Sequence, residues 1–282
     1  MERPKIVGIV NITTDSFSDG GKFLDANLAI EQAKKLLADG ANIIELSGVS
    51  SNPHAEHVPA DVEIQRITPV LAALDCPISI DATKPEVQRF ALSSSRGGSA
   101  SGGKNVALLN DIRGFPDESM YDELAKSDAK LVVMHFISDL DKAVRVPKTP
   151  KEVFDSIYSF FEKRLPQLTS AGISKERIVI DPGMGFFLAS NPEPSLAVLA
   201  HIAEFKKRFK LPVMISVSRK SFLKNLAPSP DVDIQSRTLA AELFGAQEGV
   251  DYIRTHDVRA LYQGLQTLEA IERVGNAEKP QF

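Results

Sequence analysis

At 282 residues, with 43% from the hydrophobic set and 25% charged, the chain has the make-up of a globular protein that can build one large core without covalent staples. A formal charge of −4 argues against a nucleic-acid-binding face, and the single cysteine, Cys76, excludes an internal disulfide and fits a reducing cytoplasm. No charged-then-apolar leader opens the sequence and no apolar run reaches the ~18 residues of a span, so neither secretion nor membrane insertion is expected.

The first apolar run, 6–10, has strand length and ends in Asn11. A long polar, Gly-bearing stretch, 13–23, follows, and then an amphipathic helical segment over 28–37. The second run, 43–46, carries Glu45 and leads into Ser50-Ser51-Asn52, inside a stretch (47–61) with two prolines and two histidines. Both polar stretches are placed to act as lids. Helical periodicity resumes over 62–74, before a third run, 78–80, that ends in Asp81. The Ser/Gly-rich stretch 93–104 is linker-like, expected to be flexible and without a catalytic part, and too short to divide 1–282 into two domains. Runs 106–109 and 131–134 end in Asn110-Asp111 and in Met134-His135, and a helix is predicted over 153–168. Run 178–180 ends in Asp181, one helix is predicted over 196–209, and run 213–217 ends in Ser218-Arg219-Lys220. A helix over 239–247 precedes the last run, 252–253, which opens into Arg254-Thr255-His256-Asp257.

Strand-length runs alternating with amphipathic segments predict βα units and a parallel sheet. Eight strands suit a closed (β/α)8 TIM barrel better than an open doubly wound sheet, since no GxGxxG follows the first strand. In such a barrel the C-terminal strand ends meet at one mouth. A single polar tip reads as a helix cap; a polar tip on every strand reads as a site.

The chemistry of the tips narrows the ligand. A buried strand that ends in adjacent Arg219 and Lys220 needs an anion or an electron-rich ring as partner. Asp181, above the Pro182-Gly183 turn, can accept two parallel N–H bonds from an aminopyrimidinone edge. Asn110 both donates and accepts, and Asp81 adds a second carboxylate. His54, His57 and His201 read as ordinary loop or surface histidines.

Taken together, these residues resemble a known family. Gly8-Ile9-Val10-Asn11-Ile12-Thr13 through Asp15-Ser16-Phe17-Ser18-Asp19-Gly20-Gly21 is similar to the opening signature of dihydropteroate synthases. So are Asp181-Pro182-Gly183-Met184-Gly185-Phe186, Ser218-Arg219-Lys220-Ser221-Phe222 and Arg254-Thr255-His256-Asp257, with Asn110-Asp111-Ile112 and Met134-His135 in order between them. The resemblance spans about residues 5–270. It implies a barrel that joins 6-hydroxymethyl-7,8-dihydropterin diphosphate to 4-aminobenzoate, releasing pyrophosphate. It implies that Asp81, Asn110, Met134, Asp181 and Lys220 hold the pterin. It implies that Asn11, Ser51, Arg254 and His256 hold the diphosphate, with Mg2+ on Asn11. Phe17, Pro53, Phe186, Phe187, Lys220 and Ser221 would frame the aminobenzoate. Lys220, Asp81, Arg254 and His256 would carry catalysis, the last with Arg254 and Mg2+ neutralising the departing anion. A cytoplasmic homodimer is implied as well.

Two stretches depart from the family pattern. Where the family has Asp-x-Gly-Gly-Glu-Ser-Thr-Arg-Pro-Gly, this chain has Glu45-Leu46-Ser47-Gly48-Val49-Ser50-Ser51-Asn52-Pro53-His54, without the Arg. Where the family has Gly-Phe-Gly-Lys, it has Gly185-Phe186-Phe187-Leu188. Both resemble the acquired, sulfonamide-insensitive branch, and Phe187 is expected to exclude the bulkier drug by repulsion. Competing readings are a methyltetrahydrofolate-dependent methyltransferase barrel, an aldolase with Lys220 as Schiff base, and a catalytically silent pterin-binding protein.

Overall fold

A computed structural model describes residues 2–13, 25–49, 58–95, 106–137, 146–226 and 232–277. Its eight parallel strands are β1 (Lys5–Asn11), β2 (Ile43–Ser47), β3 (Ile78–Asp81), β4 (Val106–Asp111), β5 (Lys130–Met134), β6 (Ile178–Asp181), β7 (Met214–Ile215) and β8 (Tyr252–Thr255). They form one sheet in the order β6-β5-β4-β3-β2-β1-β8-β7. An isolated parallel bridge between Ile180 and Val213, with Ile180 N–H donating to Pro212 O at 2.9 Å, brings the two ends together. The result is the expected (β/α)8 barrel.

The connecting helices are α1 (Ala26–Ala38), α2 (Ala60–Ala73), α3 (Pro85–Ser95), α4 (Tyr121–Ala125), α5 (Pro150–Ser170), α6 (Glu193–Ala200), α7 (Ile202–Phe209), α8 (Ser221–Lys224), α9 (Ile234–Gln247) and α10 (Val258–Ala277). Local chemistry sets several starts. Asp25 and Asp233 accept N–H bonds at the N-termini of α1 and α9, and Thr149 with Glu152 forms a capping box at α5. No helix among the described residues is long and apolar enough to cross a membrane.

Three boundaries differ from the sequence reading. The single helix predicted over 196–209 is two helices, because His201 leaves helical geometry at φ −114° and ψ 21°. His201 is exposed there, as expected, against Glu204. Helix α3 runs to Ser95, so the first residues of the predicted 93–104 loop are helical; 96–105 lies outside the described residues. The run at 213–217 contributes only two residues to β7.

Strand alternation builds the interior in layers. Val7, Ile43, Leu108, Val132, Val179, Met214 and Tyr252 cluster by themselves as an apolar floor inside the barrel. Their neighbours in sequence, such as Ile6, Ile44, Leu109, Leu131, Val133, Ile178, Ile180 and Ile253, pack outward into the shell between sheet and helices. Two residues beyond the floor, on the same inward face, stand Glu45, Asn110, Met134, Asp181, Ser216 and Arg254. On β4 this depends on an irregularity: the register shifts between Ile78 and Ser79, which pair with Val106 and Leu108. Ala107 is the extra residue, and it turns Leu108 and Asn110 inward rather than outward.

Candidate active site

The inward face above the floor is polar on nearly every strand, and its members are joined. Glu45 on β2 is buried beside Ser79 on β3. Ser79 Oγ donates to Glu45 Oε2 at 3.0 Å, and Asn110 Nδ2 donates to the same oxygen at 3.3 Å. Arg254 on β8 crosses the barrel, giving Nε–H to Glu45 Oε1 and an NH2 hydrogen to Asp81 Oδ2 at 2.8 Å. The guanidinium is not the surface partner of Asp251 or Asp257. Asp251 binds Lys206 and the Val213 N–H, and Asp257 caps α10 through Ala260 N–H.

Burial sets the protonation of this group. Removal from water pushes Asp81 upward; Arg254 opposes the shift and Glu45 reinforces it. Burial alone would lower Arg254, but Glu45 and Asp81 outweigh it and raise the guanidinium, so it stays charged. Burial pushes Asp181 up to about 6, against the Gly183 N–H at 2.7 Å and the nearby Lys220 cation. Burial lowers Lys220 to about 8, with Asp181 pulling the other way.

The turn under Asp181 needs its glycine. Gly183 has φ +78°, and a Cβ there would meet His135 O at 2.7 Å. The next turn, Gly185–Phe187, presents Phe186 and Phe187 half-buried at the rim. Lys220 Nζ stands 4.4 Å from the centroid of the Phe187 ring, and the Phe136 and Phe187 rings meet in a T-shaped contact with centroids 5.6 Å apart. Phe187 is thus part of the mouth, not of the core. Ser221, also half-buried, opens α8 directly after Lys220.

Arg219, between Ser218 and Lys220, sits at φ +58°, and its N–H donates to Thr238 of α9 at 3.1 Å. This left-handed residue folds the β7 tip back on β8. Ser218 Oγ accepts the His256 backbone N–H at 3.2 Å and lies within hydrogen-bond distance, 2.9 Å, of His256 Nδ1. Burial and the cations Arg219, Arg254 and Lys220 lower His256 to about 3. Burial thus disfavours the imidazolium form of His256 at this place.

Of the other tips, Asn11 stands at the end of β1 beside Ser47 of β2. Met134 pairs with Asp181 and lines the inner wall. Asp111 and His135 face outward and do not join the site. Asp111 accepts from Gln88 and from the Arg113 and Phe115 N–H groups, closing the turn after β4. His135 is buried between Pro182 O at 3.1 Å and Ser156 Oγ at 3.0 Å, and burial lowers it to about 4. Phe17, Ser51 and Pro53 lie outside the described residues.

Sequence reasoning missed Ser79 and Glu242. Ser79 was findable: it lies two residues before Asp81, on the same strand face. Glu242 is a buried acid of α9 that burial pushes to about 8 and that accepts from Thr255 on the outer face of β8. An isolated acid in a helix gives no signal of burial.

The sequence pattern of the family described as pterin binding enzyme matches residues 7–256. A dihydropteroate synthase type-2 from Escherichia coli is 51% identical over 270 residues, covering 95% of this chain and 96% of that protein. A dihydropteroate synthase type-3 from Escherichia coli is 48% identical, covering 95% of this chain and 99% of that one. Among solved structures, Xanthomonas albilineans dihydropteroate synthase with 4-aminobenzoic acid superposes with a TM-score of 0.80 at 31% identity, over 96% of this chain and 94% of that chain.

Proposed function

The chain belongs to the pterin-binding enzymes, as a dihydropteroate synthase, and on that premise we propose how its mouth condenses 6-hydroxymethyl-7,8-dihydropterin diphosphate with 4-aminobenzoate. The observation that carries the proposal is the vertical order of charge. Carboxylates and an amide lie deep, at Glu45, Asp81, Asn110 and Asp181, while cations and N–H donors lie at and above them, at Arg254, Lys220 and His256.

In this reading the pterin lies flat on the inner wall at Met134. Its aminopyrimidinone edge donates to Asp181, its remaining polar atoms meet Asn110 and Asp81, and Lys220 closes over it. The diphosphate points outward to Asn11, Arg254 and His256. As the CH2–O bond breaks, its electron pair leaves with pyrophosphate, and positive charge spreads over the pterin toward Asp81 and Asp181. Arg254 takes up the negative charge of the leaving group, and a ring N–H of His256 donates to it. The aniline nitrogen of aminobenzoate then forms the new C–N bond and gives up one proton to water. Its ring is framed by Phe186, Phe187, Lys220 and Ser221. Holding the amine in line with the CH2 group is worth several kcal/mol, at best about 7–11.

Among the described residues no cluster of three or more His, Cys, Asp or Glu could hold a metal unaided. A single amide ligand suits Mg2+, which keeps its waters and phosphate oxygens. When bound at Asn11, Mg2+ would add positive charge at the departing diphosphate. A homodimer through outer helices is supported by Leu196 of α6 and Phe244 of α9, exposed at 37% and 40% on helices that touch each other.

The reaction is tested by pyrophosphate release from the two substrates with Mg2+. A methyltransferase barrel would release none, and a silent pterin-binding protein would bind pterin without turnover.

The site predicts a bell-shaped pH profile of kcat/KM. Asp181 must be ionised to accept two N–H bonds, so activity rises as pH passes about 6. Lys220 must keep its proton to donate to the polar atoms of the pterin, so activity falls as pH passes about 8. Assays from pH 5 to 9.5 read both limbs; a profile flat from 7 to 9.5 would remove Lys220 from the mechanism.

We also propose that Phe187 makes the enzyme sulfonamide-insensitive. Its ring is in contact with both Lys220 and Phe136, so that in this reading the wall does not yield to a tetrahedral sulfonyl group but passes a planar carboxylate. Deleting Phe187, or Phe187→Ala, is expected to tighten sulfamethoxazole inhibition by at least about tenfold. Unchanged inhibition in both variants ends this explanation.

A further inference from the structure

We propose that Glu45 is a positioning residue of the reaction: through Arg254 and Asn110 it sets the pterin and diphosphate halves of the site in register before substrate arrives. The inference rests on the pterin-diphosphate reading of the mouth, and it assigns a role to a residue that touches neither substrate.

Glu45 is 1% exposed, deep on the inward face of β2. A carboxylate is an acceptor only, and both of its oxygens are used. Oε1 takes the Nε–H of Arg254, and Oε2 takes Ser79 Oγ at 3.0 Å and Asn110 Nδ2 at 3.3 Å. Each contact has a consequence at the site.

Arginine reaches the mouth through a long, freely rotating stem. The bond at Nε fixes the plane of the guanidinium near its root, and Asp81 holds one NH2 end at 2.8 Å. The fork is thus held at two points in the empty enzyme, in a low-dielectric setting where charge placed in advance acts most strongly. With Asp81 alone the group would pivot about its end.

Asn110 is affected differently. Because Glu45 accepts from its NH2 group, the amide cannot flip, and Oδ1 must face away from the carboxylate. That oxygen is buried and has no hydrogen-bond partner among the described residues. A buried acceptor left open is costly unless a ligand donates to it. The orientation imposed by Glu45 therefore selects an N–H-bearing edge at this point of the pocket.

A purely structural role would be to neutralise Arg254 so that it can be buried. The two roles separate by substrate. Glu45→Gln keeps the shape but offers an NH2 where two donors need an acceptor. If Glu45 positions, kcat/KM for pterin diphosphate falls about 10–100-fold, the range for outer-shell partners of a reactive group, while KM for 4-aminobenzoate stays within about twofold. Glu45→Asp, which keeps the charge and the acceptors, is expected to recover most of the loss. If the Gln variant keeps the wild-type kcat/KM, or loses activity toward both substrates only in proportion to its unfolded fraction, the role is refuted. Should Glu45→Gln not fold, Ser79→Ala removes one hold on Oε2 without touching a charge. It is expected to raise KM for pterin diphosphate severalfold under conditions where the variant is still fully folded, and no change in that KM refutes the proposal equally. Pyrophosphate release by the wild type is measured alongside. Its absence overturns the reaction assigned to the mouth, whereas its presence with an unimpaired variant overturns only the role of Glu45.

Discussion

Arg254→Ala is expected to lower kcat/KM by about 10²–10³, the usual effect of removing one group aimed at charge that develops in the transition state. The loss should fall mainly on kcat, because the cation acts on the departing diphosphate more than on the bound one. The same change strands two carboxylates. Glu45 and Asp81 both lose a partner inside the barrel, and breaking a buried pair costs about 3–5 kcal/mol. Part of this is recovered by protonation. Burial already raises Asp81, and without Arg254 it rises further. The folded variant then binds a proton that the unfolded chain releases above about pH 4. Its stability therefore falls as pH rises from that value through the raised one, more steeply than in the wild type. Urea unfolding at pH 5 and pH 8 reads this difference. Arg254→Lys keeps a charge but not the fork that reaches Glu45 and Asp81 together, so most of the rate loss should remain. An Ala variant within fivefold of wild type in kcat/KM, and equally stable at both pH values, would show that Arg254 serves neither purpose.

Asp181→Asn is expected to raise KM for pterin diphosphate by about 10²–10³ and to leave KM for 4-aminobenzoate nearly unchanged. Two charge-assisted bonds to a heterocyclic edge are each worth about 1.5–3 kcal/mol. An asparagine can supply one neutral acceptor, and it turns an NH2 toward a donor. The fold should survive, since the oxygen that takes the Gly183 N–H at 2.7 Å remains available in the amide. The rising limb of the pH profile near 6 should vanish in this variant, because the group that titrates there is gone. Binding of pterin diphosphate by calorimetry, with the thermal midpoint as control, separates lost recognition from lost structure. Wild-type affinity for the pterin would place its edge elsewhere in the barrel.

The barrel was legible because its pattern is local. Each strand is a short apolar run and several of the intervening helices, such as α1, α5 and α7, are amphipathic, and neither pattern needs information from the rest of the chain. The polar residue that ends most runs also marked the mouth, since parallel strands bring those ends to one side. Asp81, Asn110, Asp181, Lys220 and Arg254 were found in this way. His135 and Asp111 were misplaced by the same rule, because adjacent residues of a strand face opposite ways and only one of each neighbouring pair can look inward.

The sequence by itself determined the order of eight βα units, the side on which chemistry collects and the family to which the tips are similar. Only the tertiary structure decided which atoms meet. Glu45 and Arg254 are 209 positions apart, and their contact exists because β2 and the last strand, β8, both pair with β1 and so flank it. The extra residue at Ala107 turned Asn110 inward, a register choice made between strands and not within one. Protonation was decided there too, as burial lowers His256 to about 3 and Lys220 to about 8. Periodicity is a property of neighbours along the chain, whereas register, solvent exclusion and field are properties of what closure sets side by side.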